Sequence, residues 1–141
     1  MFTTPLEVEA AFYQAMRQAD LNLMMRVWAT EEDTICIHPG GMHAMGFDAI
    51  HTAWQQIFAA GPVQIRPLST GMTLPGETTV AHSIVEEITL PGLQGDTVRY
   101  CYATHIFQRT AHGWKMVLHH SSQAPHYHAL FDTTAPSHTL H

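Results

Sequence analysis

Apolar residues recur at three- and four-residue spacing through the first sixty positions and then give way to alternation, so the chain divides into a helical half and a strand half. Val8, Ala11, Phe12, Ala15, Met16 and Ala19 mark one face of an amphipathic helix. Its start is Thr4-Pro5-Leu6-Glu7, where threonine caps, proline takes the first helical position and Glu7 completes a capping box. Asp20 caps a shorter helix, Leu21 to Trp28, with Leu21, Met24, Met25 and Trp28 inward. Ile50, Ala53, Trp54, Ile57 and Phe58 give a third, stopped by Gly61-Pro62. Between the second and third lies Asp33 to Ile37, whose run Ile35-Cys36-Ile37 reads as a short buried strand. Pro39 cannot donate to a sheet ladder, so that strand stops with His38 as its last side chain.

The second half predicts strands at Val63 to Leu74, Thr78 to Leu90, Thr97 to Thr110 and Trp114 to Ser122, with a hairpin turn at His112-Gly113. Pro67 and Gly71 suggest an edge position or bulges in the first of these. Three helices followed by a meander of long strands predict an α+β domain over residues 1–123, its helices on one face of a curved, mostly antiparallel sheet. Residues 124–141 lose periodicity and read as a C-terminal tail. A curved sheet covered on one side leaves either a filled core or a conical pocket, and periodicity leaves both open.

Candidate chemistry follows from polar residues on apolar faces. His38, a titratable group held at a strand end against a rigid turn, is either a site residue or a packed histidine with a backbone partner. In the last strand Trp114, Met116, Leu118, His120 and Ser122 share the more apolar face, which places His120 and Ser122 in the pocket and His119 and Ser121 outside it. The alternative there is a buried histidine serving as structural glue. Along Val80, His82, Ile84, Glu86, Ile88 and Leu90, an inward Glu86 would have its pKa raised by desolvation and suit proton transfer. A bulge would bring Glu87 inward instead. Tyr102 and Thr104 oppose Cys101, Ala103, His105 and Phe107, and either face could line the pocket. Phe12, Trp28, Trp54, Tyr102, Met116 and Ser122 are the candidate ligand-binding residues. No G-x-S-x-G turn accompanies the paired serine and histidine, so a serine hydrolase is not expected.

Composition narrows the classes. The 141 residues suit one domain, and 13% charged residues against 45% hydrophobic ones suggest that part of the exterior is covered by a second subunit. Six Lys+Arg against 12 Asp+Glu, with no basic face, argue against nucleic acid. No apolar run of about 18 residues exists, and the start is unlike a secretory signal, so a cytoplasmic protein without a membrane span is expected. Cys36 and Cys101 read as small core residues. Despite 12 histidines there is no His-x-x-x-His or Cys-x-x-Cys, so neither a metal site nor a cofactor is expected.

The stretches ADLNLMMRVWATEEDTICIHPGG, GFDAIHTAWQQIF and YATHIFQRTAHGWKMVLHHSS, with the order of elements, resemble the nuclear transport factor two-like superfamily, in particular its SnoaL-like (polyketide-cyclase) and ketosteroid-isomerase-like branches. The resemblance implies a cone-shaped α+β barrel, a pocket between sheet and helices, and a homodimer through the sheet. In ketosteroid isomerases a catalytic carboxylate directly precedes the proline of the strand-end motif; His38 holds that place here, and an imidazole can also take a proton from carbon. The isomerase's oxyanion tyrosine falls on Phe12, which has no donor, while Tyr13 lies about 100° further round the helix. The expected function is that of a domain with a pocket for a small hydrophobic ligand, its specific activity left open; one reading is a cofactor-free acid–base enzyme of the cyclase, isomerase or dehydratase type on a small apolar molecule, His38 acting as base with His120 and Glu86 assisting. The alternative is a non-catalytic ligand-binding or dimerisation module whose pocket is filled by Phe12, Trp54 and Met116.

Overall fold

Thr4 caps the first helix as its hydroxyl chemistry requires: Oγ1 accepts the Glu7 N–H at 3.2 Å. The Glu7 carboxylate reaches past the cap to the Thr3 N–H (2.6 Å) and Thr3 Oγ1 (2.9 Å), so the box closes one residue earlier than the sequence motif implies. The structure, a computed structural model, describes residues 1–31, 33–69 and 72–127. Its elements are α1 (Pro5–Gln18), α2 (Leu21–Val27), β1 (Ile35–Ile37), β2 (His43–Met45), α3 (Phe47–Ala59), β3 (Gln64–Ser69), β4 (Thr73–Leu74), β5 (Thr79–Leu90), β6 (Thr97–Thr110) and β7 (Gly113–Gln123). The three helices and three long strands expected from periodicity are all present. The strand expected over Val63 to Leu74 is two, β3 and β4, with a register shift between Pro67 and Ser69 where proline withholds its donor. The three-residue β2 was not expected; it folds back on β1 through a turn in which the His38 N–H bonds Met42 O at 2.9 Å.

The sheet runs β2-β1-β7-β6-β5-β3, with β4 also on β5; β1 and β7 are parallel and every other pair antiparallel. This is the expected α+β architecture, three helices packed on a curved, mostly antiparallel sheet, though the edge strands β2 and β3 do not pair to close it into a barrel. Gly113 (φ 91°) lets the start of the chain seat against β7: a Cβ there would lie 2.6 Å from Phe2 O, the atom that accepts the Trp114 N–H. Among the described residues no helix is long and apolar enough to cross a membrane. Of the expected tail, residues 124–127 turn back on β6, with the Tyr127 ring 4.7 Å from that of Tyr100. The remainder lies outside the described residues.

One irregularity decides which side chains enter the core. Ile106 pairs with Leu118 but Phe107 pairs with Met116, leaving Val117 as a bulge. Trp114 and Met116 face inward before it, and His119 and Ser121 face inward after it. The expected alternation is therefore corrected: His120 and Ser122 are exposed on the outer face. Tyr102 shares that outer face and is 51% exposed.

Candidate functional site

Strands β5, β6 and β7 set a ladder of polar residues into the inner wall. His82 pairs across to His105, and His105 pairs across to His119, so three imidazoles stand side by side on successive strands. All three are buried, and Glu86 and Ser121 lie on the same wall, also buried. Helix α1 lies opposite and presents Glu9, Phe12, Tyr13 and Met16 to it. Glu9, Tyr13 and Met16 fall on one helical stripe, which a narrow reading of the apolar face misses.

Every charged member of this wall has a partner. Tyr13 donates its hydroxyl to Glu86 Oε2 at 2.7 Å, and Ser121 donates to Glu86 Oε1 at 3.1 Å. Glu9 Oε2 meets His82 Nδ1 at 2.6 Å and His105 Nδ1 at 2.8 Å. An ionised carboxylate only accepts, so both rings donate there through Nδ1–H. Two ring nitrogens, His105 Nε2 and His119 Nδ1, are buried without a hydrogen-bond partner. Phe12 packs between these groups, its ring 5.2 Å from His105, 4.8 Å from His119 and 5.7 Å from Trp54.

A pocket of about 140 Å³ opens beside this wall. Met16, Trp54, Ile57 and Ile88 make its apolar lining, and His38, Glu86, His119 and Ser121 its polar one. His38 follows β1 and stands edge-on to Trp54 at 4.7 Å, with Nε2 3.3 Å from Cys36 Sγ. The pocket shares Pro39 and Ile88 with a larger groove of about 510 Å³, which runs between Leu90, Tyr100 and Tyr127 and lacks such a carboxylate–imidazole grouping.

Burial governs the protonation of the site. Desolvation raises the Glu86 carboxyl above its ordinary range, although the Tyr13 and Ser121 hydrogen bonds oppose it. The Tyr13 phenol is pushed well above its usual value by burial and by the Glu86 charge, so it remains a donor. His119 is held well below its usual value by burial, and His38 is lowered to about 4 by the same cause, so both are neutral at pH 7. Burial resists ionisation of Glu9, but the His105 and His82 contacts outweigh it and hold that carboxyl below its ordinary value.

The His38 shift has a stability consequence. The unfolded imidazole takes up its proton near 6.5 and the folded one near 4, so the stability of keeping it neutral is complete above about pH 6.5 and is lost as the pH falls toward 4. His38→Gln should flatten the acid limb of stability against pH by on the order of 1–3 kcal/mol, read by urea unfolding at pH 7 and pH 4.5. Parallel profiles for the two proteins would refute the shift.

The structure brings together only some of the residues singled out from sequence. His38, Glu86 and Trp54 meet at the pocket. Phe12, Trp28 and Met116 are fully buried core residues that do not line it, and His120, Ser122 and Tyr102 lie on the opposite face of the sheet. Sequence reasoning missed Glu9, Tyr13, His119 and Ser121. A carboxylate on the apolar face of the first helix was the readable signal for Glu9; the bulge hid His119 and Ser121.

Residues 6–127 match the SnoaL-like domain family. A solved protein from Thiobacillus denitrificans, provisionally named a calcium/calmodulin-dependent protein kinase type II association domain, is 32% identical, with 88% of this chain and 98% of that one covered and a TM-score of 0.79. A protein of the nuclear transport factor two-like family from Streptomyces avermitilis, provisionally named a dehydratase, shares 23% identity over 84% of this chain and 92% of its own, with a TM-score of 0.73. A ketosteroid isomerase-like protein from Erwinia carotovora atroseptica shares 14% identity over 84% and 92% of the two chains, with a TM-score of 0.65. These last two similarities bear on the fold alone. The curated proteins hold no match to the chain.

Proposed function

The chain belongs to the SnoaL-like domain family, and from that premise we propose that its pocket takes a small, mostly apolar cyclic molecule and moves protons on it. The observation that carries this reading is the meeting of His38, Glu86 and His119 around one apolar pocket of about 140 Å³. A cavity of that size holds about one six-membered ring, and the adjoining groove leaves room for the remainder of the molecule. A neutral His38 can accept a proton from carbon, and Glu86, its carboxyl shifted upward by burial, lines the same pocket as the candidate group to pass a proton to an oxygen. This is the chemistry of an isomerisation, a cyclisation or a dehydration. The assisting role expected of His120 passes to His119, the histidine on the pocket side.

The test is turnover of monocyclic hydroxyketones, followed by solvent deuterium incorporation and loss of water. His38→Ala and Glu86→Gln should each lower kcat/KM by about 10²–10⁴-fold, with ring binding changed far less. Full turnover in His38→Ala would remove that residue from the chemistry.

A second reading, a self-associating binding module, draws on the 32% identity to a protein provisionally named an association domain. It predicts ring binding without turnover. Under either reading the outer sheet face, where Tyr102 stands exposed, is the proposed homodimer surface, and a cytoplasmic location is proposed with it.

A further inference from the structure

We propose that Glu86, His105 and His119 form a binding site for a divalent first-row transition ion of the zinc class at the floor of the pocket. One donor atom from each residue can be chosen so that all three lie within 4.8 Å of one another, and all three residues are buried. Two further observations point to a ligand there. His105 Nε2 and His119 Nδ1 have no hydrogen-bond partner, although their residues are 0% and 3% exposed, and buried ring nitrogens ordinarily have one. The outer contacts are also those of a metal-ligand set. His105 gives its Nδ1–H to Glu9 at 2.8 Å, which fixes the tautomer and leaves Nε2 as the donor. Tyr13 and Ser121 orient Glu86 in the same way. The rings of His105 and His119 are 5.0 Å apart, close to the roughly 5 Å expected for two imidazoles on one tetrahedral ion.

The donor set selects the metal. Two imidazoles and one carboxylate suit zinc or iron(II) and not calcium or magnesium, which require a shell of oxygens. Three protein ligands would leave one position of a four-coordinate ion open, and two of the three, Glu86 and His119, line the pocket. The inference goes beyond the acid–base reading. The ion would take the Glu86 carboxylate as a ligand and stand in its place toward a bound molecule, while His38, which is not a ligand, would still serve as base. It also departs from the sequence expectation of no metal, because the three ligands come from three paired strands and leave no linear spacing to read.

The experiment is to strip the full chain with a strong chelator and titrate it with zinc, then with cobalt(II) as a spectroscopic probe. About one ion per chain should survive dialysis, and the cobalt form should show the intense visible bands of a four-coordinate site. His119→Gln and Glu86→Gln should weaken binding at least 100-fold, and Glu9→Gln about 10–100-fold through its hold on His105. His120→Ala, an exposed neighbour, should leave binding unchanged. Wild-type protein that retains no ion, or shows only the weak bands of a water-ligated ion, would mean that a trapped water fills the gap and would overturn the site whether or not the variants fold. Turnover intact without an ion would leave the acid–base reading standing.

Discussion

Glu9→Ala is expected to cost the fold about 3–5 kcal/mol. The carboxylate is 6% exposed, and a single oxygen of it receives both His82 Nδ1 and His105 Nδ1, at 2.6 and 2.8 Å. Alanine removes the shared acceptor from two imidazoles that are themselves 3% and 0% exposed, and leaves a void between α1 and the sheet where no apolar group substitutes. The loss exceeds that of a surface ion pair because water cannot reach the abandoned N–H of His105. Glu9→Gln keeps the volume and one acceptor oxygen, and should cost less than the alanine variant. The measurement is the urea midpoint at pH 7 in the presence of chelator, so that no bound ion adds to the native state. A cost below about 1 kcal/mol for Glu9→Ala would mean that solvent replaces the carboxylate and that the pair carries little of the fold.

Phe12→Ala should cost a comparable 3–5 kcal/mol, for a different reason. The ring is 0% exposed and stands edge-on to Tyr13 at 5.3 Å, Trp54 at 5.7 Å and His105 at 5.2 Å, so it packs α1 against the imidazole ladder and α3. Removing it costs the transfer of the ring and leaves a cavity that the rigid strands cannot collapse around. The new space should join the existing pocket and admit a small aromatic molecule, detectable as a rise in Tm with added benzene in the variant and not in the wild type. Phe12→Tyr tests the enclosure from the other side. Its hydroxyl would meet packed side chains, so the expected result is a loss of about 1–3 kcal/mol rather than a gained catalytic donor. A neutral Phe12→Ala would show that the ring is not packed as described.

How far the site was legible depended on whether a residue's face could be read from its own strand. In β5 the face read from sequence, Val80, His82, Ile84 and Glu86, is the face the structure buries, with no bulge between Val80 and Glu86 to shift it, so Glu86 faces inward and Glu87 does not. In β7 the three consecutive apolar residues Met116, Val117 and Leu118 carry no phase, so the bulge placed there is invisible and every assignment beyond it reverses. Tyr13 fell outside the expected stripe because α1 buries a wider arc than its most apolar residues mark, Glu9 and Tyr13 included.

Local chemistry thus fixed much by itself: the capped start of α1 at Thr4, the end of β1 at Ile37 just before His38-Pro39, and the order of helices and long strands each follow from residues within a turn or two of one another. The tertiary structure decided the rest. Strand register set His82, His105 and His119 side by side, the bulge at Val117 chose His119 over His120, and the packing of α1 across the sheet brought Glu9 and Tyr13 to partners more than seventy residues away. Contacts of that kind are set by pairing and burial over the whole chain, and no short-range periodicity encodes them.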